Sequence, residues 1–262
     1  MRLQSYPPTA GDYFNSSLRG VHYEVISQLG CGGKGVTFLA KQYGGEQTGQ
    51  TRVVKVPRLD VSQFSLSEIE SRLREGQREL SNEMKASQEL KQDDGVAPIL
   101  DVGGQPWQLQ IQKDGRTEPI QLFHTVYPFI EGRDLGPSRN GQEGASWCEK
   151  FAAERGDAFQ GITDVAQWFC LARQLFEILD RVHYQRVVHG DIWPPNIRMT
   201  PQGKPVLIDF GQAWSLEQVF GRRSDMAKSH AYLAPERYFV SERKTRWYAS
   251  ADIYSMGGVL FY

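Results

Sequence analysis

The spacing of three oxygen-bearing side chains constrains how this chain can fold more than any other feature. His189-Gly190-Asp191 is followed, five residues after Asp191, by Asn196, and Asp209 of Ile208-Asp209-Phe210-Gly211 comes thirteen residues after that. Ala234-Pro235-Glu236 closes the series. Carboxylate and amide oxygens on two nearby loops suit Mg²⁺, which usually binds through one or two carboxylates together with substrate phosphates. A chain that uses them this way must bring the two loops together. The chemistry they equip is phosphoryl transfer, in which positioning and charge neutralisation do most of the work.

Upstream of these strings the hydrophobic pattern changes period. Tyr23 to Leu29 alternates as a strand does, Gly30 to Gly35 interrupts it, and Val36 to Ala40 and Arg52 to Val56 read as two further strands. Gly44 to Gly49 is a turn. Ile69, Leu73, Leu80 and Met84 then recur at helical spacing, with a break between two helices expected at Gly76. Strands are expected near Ile99–Val102 and Leu122–Tyr127, joined by a hairpin turn that contains Lys113-Asp114-Gly115-Arg116. The stretch 136–161 reads as an irregular insertion with a short helix near Cys148–Arg155. A long helix starts with Thr163 as its N-cap. Its apolar stripe is Val165, Phe169, Ala172, Phe176 and Leu179, widened by Trp168, Leu171, Leu175 and Ile178, which predicts a buried helix. The layout is α+β: a small antiparallel β-rich lobe with one main helix, then a larger, mainly helical lobe.

Composition narrows the function. With 262 residues, 40% hydrophobic and 23% charged, the chain can build one large domain or two lobes. A net charge of −1 argues against nucleic acid as a partner, which would require a basic surplus. No window approaches the 18 or so apolar residues of a membrane span. Residues 1–20 are polar, carry Pro7-Pro8 and lack a signal-peptide core, so they read as a flexible leader. Cys31, Cys148 and Cys170 are odd in number, far apart and without zinc spacing, which points to a reducing, cytoplasmic setting.

His189 to Asn196, Ile208 to Gly211 and Ala234 to Glu236 resemble the signature strings of the eukaryotic-type protein kinases. The resemblance runs from about Tyr23 to Tyr262 and implies a bilobal fold, with an N-lobe over 21–130 and a C-lobe over 131–262. It also implies ATP and Mg²⁺ as cofactors and a protein substrate. Gly30-Cys31-Gly32-Gly33-Lys34-Gly35 fits G-x-G-x-x-G with strands on both sides, as the family's phosphate loop requires, so Gly30, Gly32 and Gly35 would approach ATP. Lys55 closes Val53-Val54-Lys55, 20 residues after Gly35, and would reach the α/β-phosphates. Its partner would be Glu83, with Glu79 the runner-up. In Tyr127-Pro128-Phe129-Ile130, the Pro128 carbonyl and the Ile130 N–H would hold adenine behind a bulky Tyr127, and Asp134 would contact ribose. Asp191 would orient the acceptor hydroxyl, Asn196 and Asp209 would hold Mg²⁺, and His189 would brace the turn at Phe210. Asp252 would cap the catalytic loop through backbone N–H groups.

Three departures qualify that expectation. Gly190 stands where the family usually has an arginine that meets a phosphorylated residue, so no such switch is expected, although Ser224 and Ser229 lie nearby. Trp193 stands where many serine/threonine kinases have a lysine on the transferring phosphate, and indole offers one N–H and no charge. The sequence also stops inside the apolar run Val259 to Tyr262, where the family has further helices, which reads as a truncated catalytic domain or fragment. The expected function is a serine/threonine protein kinase. The alternatives are a pseudokinase that binds nucleotide or scaffolds partners, and a small-molecule kinase of the aminoglycoside or choline kinase type. The latter shares His-Gly-Asp but generally lacks a string such as Ser229 to Glu236.

Overall fold

Alternation drives the first third of the chain into strands. Every second residue turns inward along β4 (Gly35–Tyr43) and β5 (Thr51–Pro57) and in the first half of β3 (His22–Cys31), among them Tyr23, Val25, Phe38, Ala40, Val54 and Val56; beyond Val25 the β3 side chains, Ile26 and Leu29 included, are exposed. The computed structural model describes residues 3–31, 35–90, 93–112, 115–135, 165–216, 232–237 and 249–261. Two units emerge: Met1–Met84 with Pro98–Phe129, and Lys85–Ala97 with Ile130–Tyr262. One is built on a sheet and the other mainly on helices, the α+β protein kinase-like architecture expected from the sequence.

The first unit contains a seven-stranded sheet. Besides β3 to β5 it holds β1 (Gln4–Tyr6), β2 (Tyr13–Asn15), β6 (Asp101–Ile111) and β7 (Arg116–Pro128), in the order β1-β6-β7-β5-β4-β3-β2. The β6–β7 hairpin is much longer than the two short strands expected. Its alternation through Gln105, Trp107, Leu109 and Ile111 continues the inward face.

The reading of residues 1–20 as a flexible leader is corrected. β1 pairs in parallel with β6, and β2 pairs antiparallel with β3. Phe14 is fully buried, with its ring 5.3 Å from Trp107 and 4.9 Å from His124. The polar residues of this stretch are also engaged. The Asp101 carboxylate accepts from Ser16 Oγ, from Ser17 Oγ at 2.6 Å and from Tyr23 OH at 2.8 Å. Side chains tie the two outer strands to each other. Gln4 Nε2 donates to the Tyr13 carbonyl at 2.8 Å, Gln4 Oε1 accepts from Tyr13 N at 2.7 Å, and Gln105 bonds Tyr13 O and Asn15 N.

The break expected at Gly76 does not occur. Helix α1 runs unbroken over Leu66–Glu89 and starts at a capping box in which Glu68 Oε2 accepts from Ser65 N at 2.7 Å. Gly76 sits where the helix passes β5: a β-carbon there would lie 2.8 Å from Pro57 Cγ. The glycine serves a close approach rather than a helix end.

In the second unit, α2 (Val165–Tyr184) packs Leu171, Leu175, Ile178, Leu179 and Val182 against Met256 and Val259 of α3 (Ser250–Phe261). The expected stripe is misplaced in part: Val165 and Phe169 are 68% and 61% exposed, and the buried face joins Ala172 and Leu179 of that stripe to Leu171, Leu175 and Ile178, which widened it. Strands β8 (Arg133–Asp134), β10 (Ile197–Met199) and β11 (Pro205–Leu207) form one small antiparallel sheet, and β9 (Val187–Val188) pairs with β12 (Trp214–Ser215). The insertion at 136–161, Thr163, Ser224 and Ser229 lie outside the described residues. No helix among the described residues is long and apolar enough to cross a membrane.

Candidate active site

Asp252, in the first turn of α3, organises the loop that carries Asp191. One carboxylate oxygen accepts from His189 N at 2.7 Å and lies 3.0 Å from His183 Nε2, and the other accepts from Gly190 N at 2.9 Å. Burial alone would raise its pKa. The hydrogen bond from His183, the charges of His189 and His183 and the Gly190 N–H outweigh that and hold it below the ordinary carboxylate value.

His189 is fully buried between two loops. Its Nε2 donates to the Ile208 carbonyl at 3.1 Å, its Nδ1 accepts from Asp191 N at 3.2 Å, and its ring lies 4.4 Å from that of Phe210. His189 therefore ties the Asp191 amide to the residue just before Asp209.

Asn196 ends a single 3₁₀ turn, Pro194–Asn196, that leaves the extended backbone of Trp193. Its Nδ2 donates to the Asp191 carbonyl at 2.8 Å and to Asp191 Oδ2 at 3.2 Å. The β10–β11 ladder pairs Ile197 with Leu207 and continues through Ile208 N to the Asn196 carbonyl at 3.0 Å. That register sets Asn196 and Asp209 at the same end of the ladder. Asp209 has φ +64°, a left-handed conformation costly for most residues, and its Oδ1 accepts from Gly211 N at 3.3 Å. Two oxygen-bearing side chains so placed, with Asp191 bonded to one of them, fit a hard divalent cation that completes its shell with phosphate and water.

Gly190 has φ +77°, and a β-carbon on it would fall 2.2 Å from Trp214 Cζ3 and 2.6 Å from the Gln212 carbonyl. No side chain fits there. Arg237, just past Ala234-Pro235-Glu236, is buried; its Nη1 donates to the Gly190 carbonyl and its guanidinium lies 4.9 Å from the Trp214 ring centre. Sequence reasoning gave Arg237 no role, because nothing local in the sequence distinguishes it.

In the first unit, Lys55 on β5 and Glu83 on α1 come together, with Nζ and Oε2 3.7 Å apart and the carboxylate almost fully buried. Thr37 and Thr125 pair with Lys55 on either side, fixing its place in the sheet. Tyr127 is buried, and its phenol pKa is pushed well above 10 by burial and then by the charge of Glu83. Gly30 follows a bulge one residue before the end of β3, and Gly35 opens β4, where a β-carbon would press on the Val56 carbonyl at 3.2 Å. Gly32 lies outside the described residues. Pro128 closes β7 opposite Arg52.

Within the second unit, Arg198 donates Nε to the Ile130 carbonyl and Nη1 to Asp134 Oδ1, both at 2.9 Å. The carboxylate expected to contact ribose thus already holds an arginine.

Residues 157–262 match the family model described as protein kinase domain. The chain is 33% identical over 85 residues to a calcium/calmodulin-dependent protein kinase kinase of Caenorhabditis elegans, covering 32% of this chain and 15% of that protein. It is 29% identical over 93 residues to serine/threonine-protein kinase mig-15 of the same organism, covering 35% of this chain and 8% of that one. It is 26% identical over 162 residues to the human Nik-related protein kinase, covering 56% and 10%. The chain therefore spans no more than 15% of the length of these relatives.

Proposed function

We propose that this chain, which belongs to the eukaryotic-type protein kinases, transfers the γ-phosphate of ATP to serine or threonine hydroxyls of a protein. The observation that carries the proposal is the ladder register that sets Asn196 and Asp209 at one end of the ladder while Asn196 bonds Asp191. Asp191 orients the acceptor hydroxyl and takes its proton as the oxygen attacks the γ-phosphorus and ADP leaves. Asn196 and Asp209 would hold Mg²⁺, which would neutralise phosphate charge. Lys55, oriented by Glu83, holds the α- and β-phosphates, and Gly30, Gly32 and Gly35 let the backbone close over them. The Pro128 carbonyl and Ile130 N–H take adenine. Asp134 keeps a ribose contact only through the oxygen that Arg198 leaves open. The serine/threonine assignment is supported by relatives whose names carry it.

Trp193 supports a second reading, a pseudokinase that binds nucleotide with little turnover. Transfer of ³²P from Mg²⁺-ATP to a generic protein substrate, measured beside Asp191→Asn, separates the two. The enzyme reading expects a loss of about 10²-fold or more in the variant, the scale of a lost transition-state contact. Equal signals from both proteins would sink it. A rise in melting temperature with Mg²⁺-ATP in the absence of transfer would establish the pseudokinase.

A further inference from the structure

We infer that Arg237 is a positioning residue for the catalytic loop, holding the Gly190 carbonyl while Asp252 holds the Gly190 amide. The inference deepens the kinase reading and rests on it for its activity readout. Its geometry stands alone.

Both backbone groups of Gly190 bond to charged side chains: N–H to Asp252 Oδ1 at 2.9 Å, and C=O to the Arg237 guanidinium. The peptide that joins Gly190 to Asp191 is therefore fixed from outside the loop, and the direction of the Asp191 side chain follows from it. The indole of Trp214 occupies the space that any side chain on residue 190 would need, and it carries the guanidinium 4.9 Å from its ring centre. A cation at position 190 is excluded sterically, and one is supplied from 47 residues further along.

Burying a guanidinium is costly unless it is paired and hydrogen-bonded. Here burial is opposed by the charges of Asp252, Asp191 and Glu236, in that order. An arginine stays protonated at any working pH and needs no modification to be charged. The loop so held is set by the fold itself, which accounts for a glycine where a phosphate-sensing arginine is expected.

The test compares the intact chain with Arg237→Met, which keeps length but loses the cation, and with Arg237→Lys, which restores charge without the planar fork. Amide hydrogen exchange over 189–192 is read on the unliganded protein, and kcat and KM for ATP are read in parallel. Arg237→Met should raise exchange about tenfold and lower kcat about tenfold, with KM for ATP within about twofold, because misplacement at the reacting centre acts on kcat. Arg237→Lys should recover part of both. If Arg237→Met fails to fold, Trp214→Leu removes the platform instead and should raise exchange over the same residues. Exchange over 189–192 within about twofold of wild type in a folded variant would overturn the inference. Exchange gives this answer even if the wild-type chain transfers no phosphate, a result that would count against the kinase reading alone.

Discussion

Trp193 puts a half-buried indole two residues after Asp191, on extended backbone just ahead of the turn that delivers Asn196. If a cation at this point stabilises charge on the transferring phosphate, Trp193→Lys should raise kcat by about tenfold or more, within the range for a single transition-state contact. An unchanged or lower kcat would show a loop rebuilt around the indole. Residues such as Asp191, Asn196 and Asp209 were legible in the sequence because one short segment fixes their spacing. Arg237 was not, because its partner is 47 residues away and only the packing of Trp214 over a left-handed glycine makes it necessary. The Arg198 partner of Asp134 was hidden in the same way, 64 residues distant.

Elements were legible in proportion to their length and regularity. β4 and β5 alternate over seven residues or more, whereas β1 and β2 have three residues each and bury one side chain apiece, Tyr6 and Phe14. A three-residue strand inside a polar, proline-containing stretch carries no readable period. Periodicity also told that α2 is apolar without telling which arc is covered, since that depends on where α3 lies. Gly76 reads as a break by propensity and acts as a contact in the structure. Gly76→Ala should therefore destabilise the protein by about 1 kcal/mol, even though alanine favours an isolated helix by a similar amount. A lower urea midpoint at unchanged m-value would bear this out, and a higher one would show that Pro57 yields.

For the molecule as a whole, His124 sets a lower limit on tolerated pH. Burial lowers its pKa to about 4 from 6.5, only partly opposed by the charge of Asp101. Below pH 6.5 the unfolded chain takes up a proton that the folded chain refuses, so stability is full above 6.5 and falls as pH drops toward 4. The loss should be about 2 kcal/mol between pH 7 and pH 5 and about 3 kcal/mol in all. Denaturant midpoints of wild type and His124→Leu across that range would check it, because the variant should lose this part of the slope.

An open seven-stranded sheet would present two rims of unpaired amides and carbonyls, each a template for a stray strand. Here one short segment supplies both outermost strands; Gln4 joins β1 to β2, and Gln105 of β6 adds two bonds to β2. The sheet unit is its own edge guard: strand-by-strand growth into aggregates must first undo the clasp at Gln4.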